Sequence, residues 1–196
     1  MWQHEQNAFN AGFLRIAGID EAGRGPLAGP VVAACVCLRG DDLALFDGLT
    51  DSKKLAPRKR LDYADRIRKH ALAYGIGTAS VEEIDSRNIL QATFLAMARA
   101  LAEVDGVDHL LVDGKWAIPG LTVQQTPIVR GDGSSYSIAA ASVLAKVTRD
   151  QMMVDWAAKL PGYGFERHKG YPTQAHYEAI ARLGVSEIHR QTFLKR

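Results

Sequence analysis

Apolar and polar positions along this chain alternate between two textures, short unbroken apolar runs and stretches with helical spacing. Segments 13–20 and 30–38 are runs of the first kind, the second free of any charge, and both read as strands. Segment 39–47 is polar enough to be a connection. From Thr50 the pattern turns helical, with Ser52 suited to cap and Pro57 to a first turn. Leu61, Ala64, Ile67 and Ala71 then mark one face. Segment 72–81 is small and apolar, a third strand. The strongest helical stripe follows, Leu90, Phe94, Met97, Leu101 and Val104, expected to face the core and to end at Gly106. Segments 109–113 and 121–129 read as strands, and 137–160 as a long alanine-rich helix. Glycines, prolines and aromatics make 161–172 a structured loop, after which Thr173 can cap a last helix reaching about Leu183. Strands first, then helix and strand in turn, predict the α/β class, a mixed sheet covered by helices.

Composition narrows the setting. A chain of 196 residues with 47% hydrophobic content fits one domain with a real core and excludes a disordered protein. No stretch approaches the roughly 18–20 apolar residues that cross a bilayer. Residues 1–12 have neither the charged start nor the apolar centre of a signal peptide, so a cytoplasmic location is expected. Cys35 and Cys37 would project from one face of a strand, and with no further cysteine or nearby histidine they read as buried small hydrophobes. The 24 basic and 22 acidic residues nearly balance, which permits phosphate binding without indicating it.

Candidate chemistry gathers at acidic residues that end apolar runs. Asp20 and Glu21 close the first strand, where charge is costly unless paired or bound to a cation. Neighbours on a strand face opposite sides, so both serve one site only if the pleat breaks between Gly18 and Gly23. Asp113 ends another strand, the usual place for ligands in α/β sheets, although an Asp-Gly turn explains it equally well alone. Asp132 stands just before the long helix, where a capping role is the plain alternative. Asp150, between Arg149 and Gln151, reads as an ion-pairing residue. Together the strand-end acids suggest a hard-cation site for Mg²⁺ or Mn²⁺. The six histidines are scattered and no His-Glu-x-x-His supports zinc. The dinucleotide fingerprint fails at Ala28, and neither a Walker loop nor a Gly-x-Ser-x-Gly elbow is present.

These residues fall within five ordered blocks. The first runs from Gly18 through Val32, GIDEAGRGPLAGPVV. The second is Thr50-Asp51-Ser52-Lys53-Lys54-Leu55 and the third Val112-Asp113-Gly114. Gly131-Asp132 with Ser137-Ile138-Ala139-Ala140-Ala141-Ser142 is the fourth, and His168-Lys169-Gly170-Tyr171-Pro172-Thr173 with His176 the fifth. In this order the chain resembles the ribonuclease HII family, the bacterial type 2 ribonucleases H, from about residue 15 to 190. The resemblance implies a ribonuclease H-like fold, a central mixed five-stranded sheet flanked by helices. It also implies an N-terminal extension over 1–14 and a catalytic domain over 15–196, with a small C-terminal helical part from about 161. Carried over, Asp20, Glu21, Asp113 and Asp132 would be metal ligands, Gly23, Arg24 and Gly25 the ribonucleotide-reading loop, and Tyr171 the substrate-sensing tyrosine. The implied reaction is hydrolysis 5′ of a ribonucleotide in RNA/DNA hybrids or duplex DNA, leaving 3′-hydroxyl and 5′-phosphate ends. The implied role is removal of misincorporated ribonucleotides. Lys115-Trp116-Ala117-Ile118 departs from the family continuation after Asp113, in a segment taken as variable.

The expected chemistry is direct attack by water activated at the metal, with no covalent enzyme intermediate. Lys53 and Lys54 are candidate phosphate contacts, with Lys146 and Arg149 on the long helix as further ones. A monomer is expected. A DNA nuclease of similar fold, a non-catalytic nucleic-acid binding module and an α/β small-molecule enzyme stay open from the residues alone.

Overall fold

A computed structural model of the chain describes residues 1–194, so the last two residues of the expected 15–196 unit lie outside the described residues. The elements in order are α1 (Gln3–Asn10), β1 (Ile16–Ala22), β2 (Val31–Cys37), a 3-10 helix (Gly40–Phe46), α2 (Pro57–His70), β3 (Ala73–Ala79), α3 (Val81–Arg87), α4 (Ile89–Ala102), β4 (His109–Asp113), β5 (Gln124–Ile128), a 3-10 turn (Gly131–Gly133), α5 (Tyr136–Lys159), α6 (Phe165–His168), α7 (Gln174–Leu183) and α8 (Gln191–Leu194). The five strands form one sheet in the order β3-β2-β1-β4-β5. Strand β2 runs antiparallel to both β1 and β3, while β4 pairs parallel with both β1 and β5. The expected α/β class and mixed five-stranded sheet are what the chain forms.

Helix α5 covers one face of the sheet, burying Ala139, Ala140, Val143 and Leu144 with Ala34 and Val36 of β2. Helix α4 covers the other, with Ala17, Ile19, Ala33, Cys35 and Cys37. Both cysteines are free and buried. The approach is close because the contacting residues are small. A Cβ on Gly18 would run into the backbone of Ser137 and Ile138, and one on Gly77 into the Ala96 carbonyl and the Ala100 amide.

Several expectations need correction. The stripe on α4 faces the core as expected through Met97 and Val104, with Phe94 and Leu101 packed half-buried against the same cluster. Leu90, however, is only half-buried, and the closest approach to the sheet is made by the backbone at Ala96 and Ala100, which meets Gly75 and Gly77. Leu61 is exposed, and α2 is anchored by Ala64 and Ile67. Ser52 does not cap α2, which begins at Pro57; it is buried and accepts a hydrogen bond from Ser142 Oγ at 2.9 Å. The connection 39–47 coils into a 3-10 helix, and 161–172 includes the short α6. Helix α3 escaped the periodicity, although Ser80 and Glu83 form a capping box that was there to be read. Residues 1–14 pack onto the domain through buried Glu5, which accepts from Ser135 Oγ at 2.6 Å and Ser137 N at 2.9 Å.

Candidate active site

Strand β1 keeps its register with β2 through Ala22, so no pleat break brings Asp20 and Glu21 to one face. They leave opposite faces and meet instead around the strand's carboxyl end. Pairing of β1 with β4 stops at Ile19 and Val112, which leaves Asp20 and Asp113 side by side, one residue beyond the last rung. The turn after β5 supplies Asp132. Its backbone holds the neighbouring acid, because Asp113 Oδ1 accepts Gly131 N at 2.7 Å. Asp20 accepts its neighbour's amide, Glu21 N, at 2.7 Å, with Ser142 beside it. Glu21 pairs with Arg24 at 3.1 Å.

Crowding is legible in the acidities. Burial, then the charges of Glu21 and Asp113, raises Asp20 well above the ordinary carboxylate range. Asp113 is raised by burial and by Glu21. Burial also raises Asp132, with help from Asp51 and Asp113. The four expected acids thus converge, and Asp51, which sequence reading passed over inside its block, joins them beside Asp132. Burial works against the charge on Lys53, but Asp51, Asp20 and Asp132 around it outweigh that and raise its pKa.

All donors in this cluster are carboxylate oxygens, the set that suits Mg²⁺ or Mn²⁺. Among the described residues no three acidic, histidine or cysteine side chains enclose an ion unaided. A small hard cation keeps several waters and takes substrate phosphate oxygens to complete its shell.

A cleft of about 1160 Å³ opens beside the acids, lined by Glu21, Gly23, Arg24, Gly25, Lys53, Lys146 and Tyr171. Its opposite wall is the junction of α3 and α4 with Thr192 and Phe193. Asn88 at that junction holds φ +74° and caps α4 through Leu90 N and Gln91 N. Tyr171 is 37% exposed, with Lys146 Nζ 5.6 Å and Arg149 Cζ 5.8 Å from its ring centre. Lys54 is exposed but does not line the cleft. Lys146 forms an ion pair with Asp150 at 2.7 Å, the role expected of Asp150. Arg149 requires correction as a phosphate contact, for its side chain is fully buried and bonded to backbone carbonyls.

The scattered histidines also need correction. His168 and His176 stack with ring centres 4.4 Å apart, and His176 Nε2 stands 3.0 Å from His189 Nε2. Their ring nitrogens are engaged. His176 Nδ1 meets Tyr171 O at 2.9 Å, and His189 Nδ1 accepts Ser186 N at 2.9 Å. His168 donates to Tyr163 O and accepts Gly170 N. With its lone pairs taken, the trio braces the Tyr171 loop and is no metal site. Burial pushes His189 down to about 4 and lowers His176 as well.

Known proteins resemble this chain in sequence and in fold. The family model described as Ribonuclease HII matches residues 17–196. A ribonuclease HII from Syntrophotalea carbinolica is 54% identical over 192 residues, spanning 96% of this chain and 90% of the relative. One from Clostridioides difficile (strain 630) is 52% identical over 192 residues, spanning 97% and 74%. The ribonuclease H2 from Pyrococcus horikoshii OT3 shares the fold at a TM-score of 0.76 and 24% identity, over 91% of this chain and 93% of that one.

Proposed function

The chain belongs to the ribonuclease HII family, and from that premise we propose that Asp20, Glu21, Asp113 and Asp132 form its cleavage centre. As a member it is an endoribonuclease of the ribonuclease H type. The observation that carries the assignment is the convergence of these acids at the carboxyl ends of β1 and β4 and the turn after β5, each Asp raised by burial and by its neighbours. Crowded like charges are unfavourable unless a cation joins them. Mg²⁺ or Mn²⁺, when bound, supplies activation of water and neutralisation of the scissile phosphate.

The chain's own residues do the rest. Asp113 is held in place by the amide of Gly131, and Asp20 by that of Glu21, so both carboxylates are oriented before substrate arrives. Glu21 faces the cleft from the other side of β1 and keeps Arg24 at its rim. Backbone N–H groups near Gly25 meet the ribonucleotide, whose 2′-hydroxyl distinguishes RNA from DNA. Tyr171 offers a half-exposed ring to the sugar, with Lys146 beside it. Lys54 contributes positive charge toward phosphate, while Lys53 stands among Asp51, Asp20 and Asp132 and offsets their charge. Cleavage falls 5′ of the ribonucleotide, in hybrids and at single ribonucleotides embedded in DNA, and leaves 3′-hydroxyl and 5′-phosphate ends.

The test is a labelled DNA duplex carrying one ribonucleotide, incubated with Mg²⁺ or Mn²⁺ beside an all-DNA duplex. A single cut 5′ of the ribonucleotide, absent from the DNA control and from Asp20→Asn, is expected. Equal cutting of both duplexes would overturn the substrate assignment, and a 2′,3′-cyclic phosphate end would overturn direct attack by water.

A further inference from the structure

Arg149 and Arg190 are both fully buried, and among the described residues neither has a carboxylate within salt-bridge distance. A buried cation without a counter-ion is costly unless its N–H groups find acceptors. Here the acceptors are backbone carbonyls, and all but one lie in loop 23–30. Arg190 donates through Nε to Gly29 O at 3.0 Å, through Nη1 to Arg24 O at 3.0 Å, and through Nη2 to Gly23 O at 2.6 Å and Gly29 O at 2.8 Å. Arg149 donates to Pro30 O at 2.9 Å and Ala28 O at 3.0 Å, and on its other side to Lys169 O at 3.0 Å.

The carbonyls of Gly23 and Arg24 are thus drawn toward buried Arg190, although both residues line the cleft. Among the described residues the N–H groups of Arg24 and Gly25 have no acceptor within the chain. The rest of the loop is pinned by backbone bonds, Leu27 N to Gly170 O, Gly29 N to Ile188 O and Arg190 N to Leu27 O, each at 2.8 Å. The two glycines of the Gly-Arg-Gly run consequently differ. Gly23 has φ +97°, and a Cβ there would strike the Arg149 side chain, so its smallness serves the clamp. A Cβ on Gly25 would meet only Tyr171, at 3.9 Å, on the open side.

We propose that Arg190, assisted by Arg149, is a positioning residue for cleavage, fixing the carbonyls of loop 23–30 inward so that the Arg24 and Gly25 amides present donors to the ribonucleotide's oxygens. This rests on the reading that the loop meets the ribonucleotide. It demands a guanidinium, since a lysine ammonium cannot span carbonyls of Gly23, Arg24 and Gly29 at once.

The experiment compares Arg190→Lys with Gly25→Ala on the single-ribonucleotide duplex. Arg190→Lys is expected to lower kcat at least about 10-fold, with KM and duplex affinity within about threefold, because small misplacements near the chemistry are that costly. A merely structural role would lower the thermal midpoint and the active fraction but leave kcat per titrated active site unchanged. Guanidinium ion should partly restore Arg190→Gly, and ammonium should not. Unchanged kcat in Arg190→Lys while Gly25→Ala is impaired overturns the clamp alone. If both are unimpaired, the loop reading is wrong and the clamp falls with it. Should the Arg190 variants fail to fold, ¹⁵N-arginine spectra of the unaltered protein decide: separately resolved, slowly exchanging Nη protons support the clamp, and rotationally averaged ones overturn it.

Discussion

At the scale of single residues, the acidic cluster opposes stability and function to each other. Asp20 is 5% exposed, yet it sits beside Glu21 and Asp113, and burial and repulsion together raise its pKa. Asp20→Asn keeps an oxygen to accept Glu21 N and deletes the charge. The metal-free variant should therefore melt higher, by about 2–4 °C for each kcal/mol of relieved repulsion, while cleavage is lost. Thermal melts beside activity assays check this, and a lower midpoint would mean that the carboxylate is compensated where it stands. The same shifts set a pH dependence. Asp20, Asp113 and Asp132 bind protons more tightly in the folded protein than in the unfolded chain. Their contribution to stability is fully present below the unfolded carboxylate pKa, and it is lost as pH rises through the raised values. A divalent cation relieves the ionised cluster, and protons compete with it at low pH. The rise in melting temperature on adding Mn²⁺ should accordingly grow between about pH 5 and about pH 8. A pH-independent rise would place the bound ion away from these acids.

At the scale of elements, the glycines that let helices approach the sheet separate folding from catalysis. Gly77→Ala would push a Cβ into the backbone of α4 on the face remote from α5. Gly18→Ala would push one into the first turn of α5, the helix that carries Ser142 beside Asp20. Each should destabilise by about 1–3 kcal/mol. Only Gly18→Ala should also lower kcat, which melts paired with initial rates on the ribonucleotide duplex would reveal; equal effects on kcat would show that both helices register the site. These contacts also mark where sequence reading reached its limit. The strand ending in Asp113 and the cap at Thr173 were legible because period, turn residues and capping are local, whereas the first strand runs two residues past its expected end at Asp20, to Ala22. The close approach of α4 was not, because it depends on Gly75 and Gly77 of β3, distant in sequence, which let the helix backbone at Ala96 and Ala100 meet the sheet. Arg149 looked like a surface cation on a helix for the same reason, since two of its three carbonyl partners lie more than a hundred residues away. Asp51 and the histidine trio likewise acquire meaning only when the chain is folded.

At the scale of the whole molecule, a net charge of +2 leaves little general attraction for a polyanion, so affinity must come from cations placed near the cleft. Arg24, Lys53 and Lys146 line it, and exposed Lys54 is adjacent in sequence. They are not equivalent. Arg24 and Lys146 are held by Glu21 and Asp150, so each brings an acid along with its charge. Lys54 has no such partner among the described residues. Each phosphate contact releases counter-ions and adds about 0.9 to the steepness of log affinity against log salt. Lys54→Ala should reduce that slope by about 1 and leave kcat within about twofold, as expected of a contact that only positions the duplex. Lys53 stands among Asp51, Asp20 and Asp132, where its ammonium offsets repulsion in the cluster itself. Lys53→Ala should hence lower kcat and alter metal affinity, with a smaller change in salt slope. Duplex titrations at several salt concentrations, beside single-turnover rates, distinguish the two. If Lys53→Ala changed the slope by a full unit with kcat intact, its charge would belong to the phosphate backbone and not to the acidic cluster.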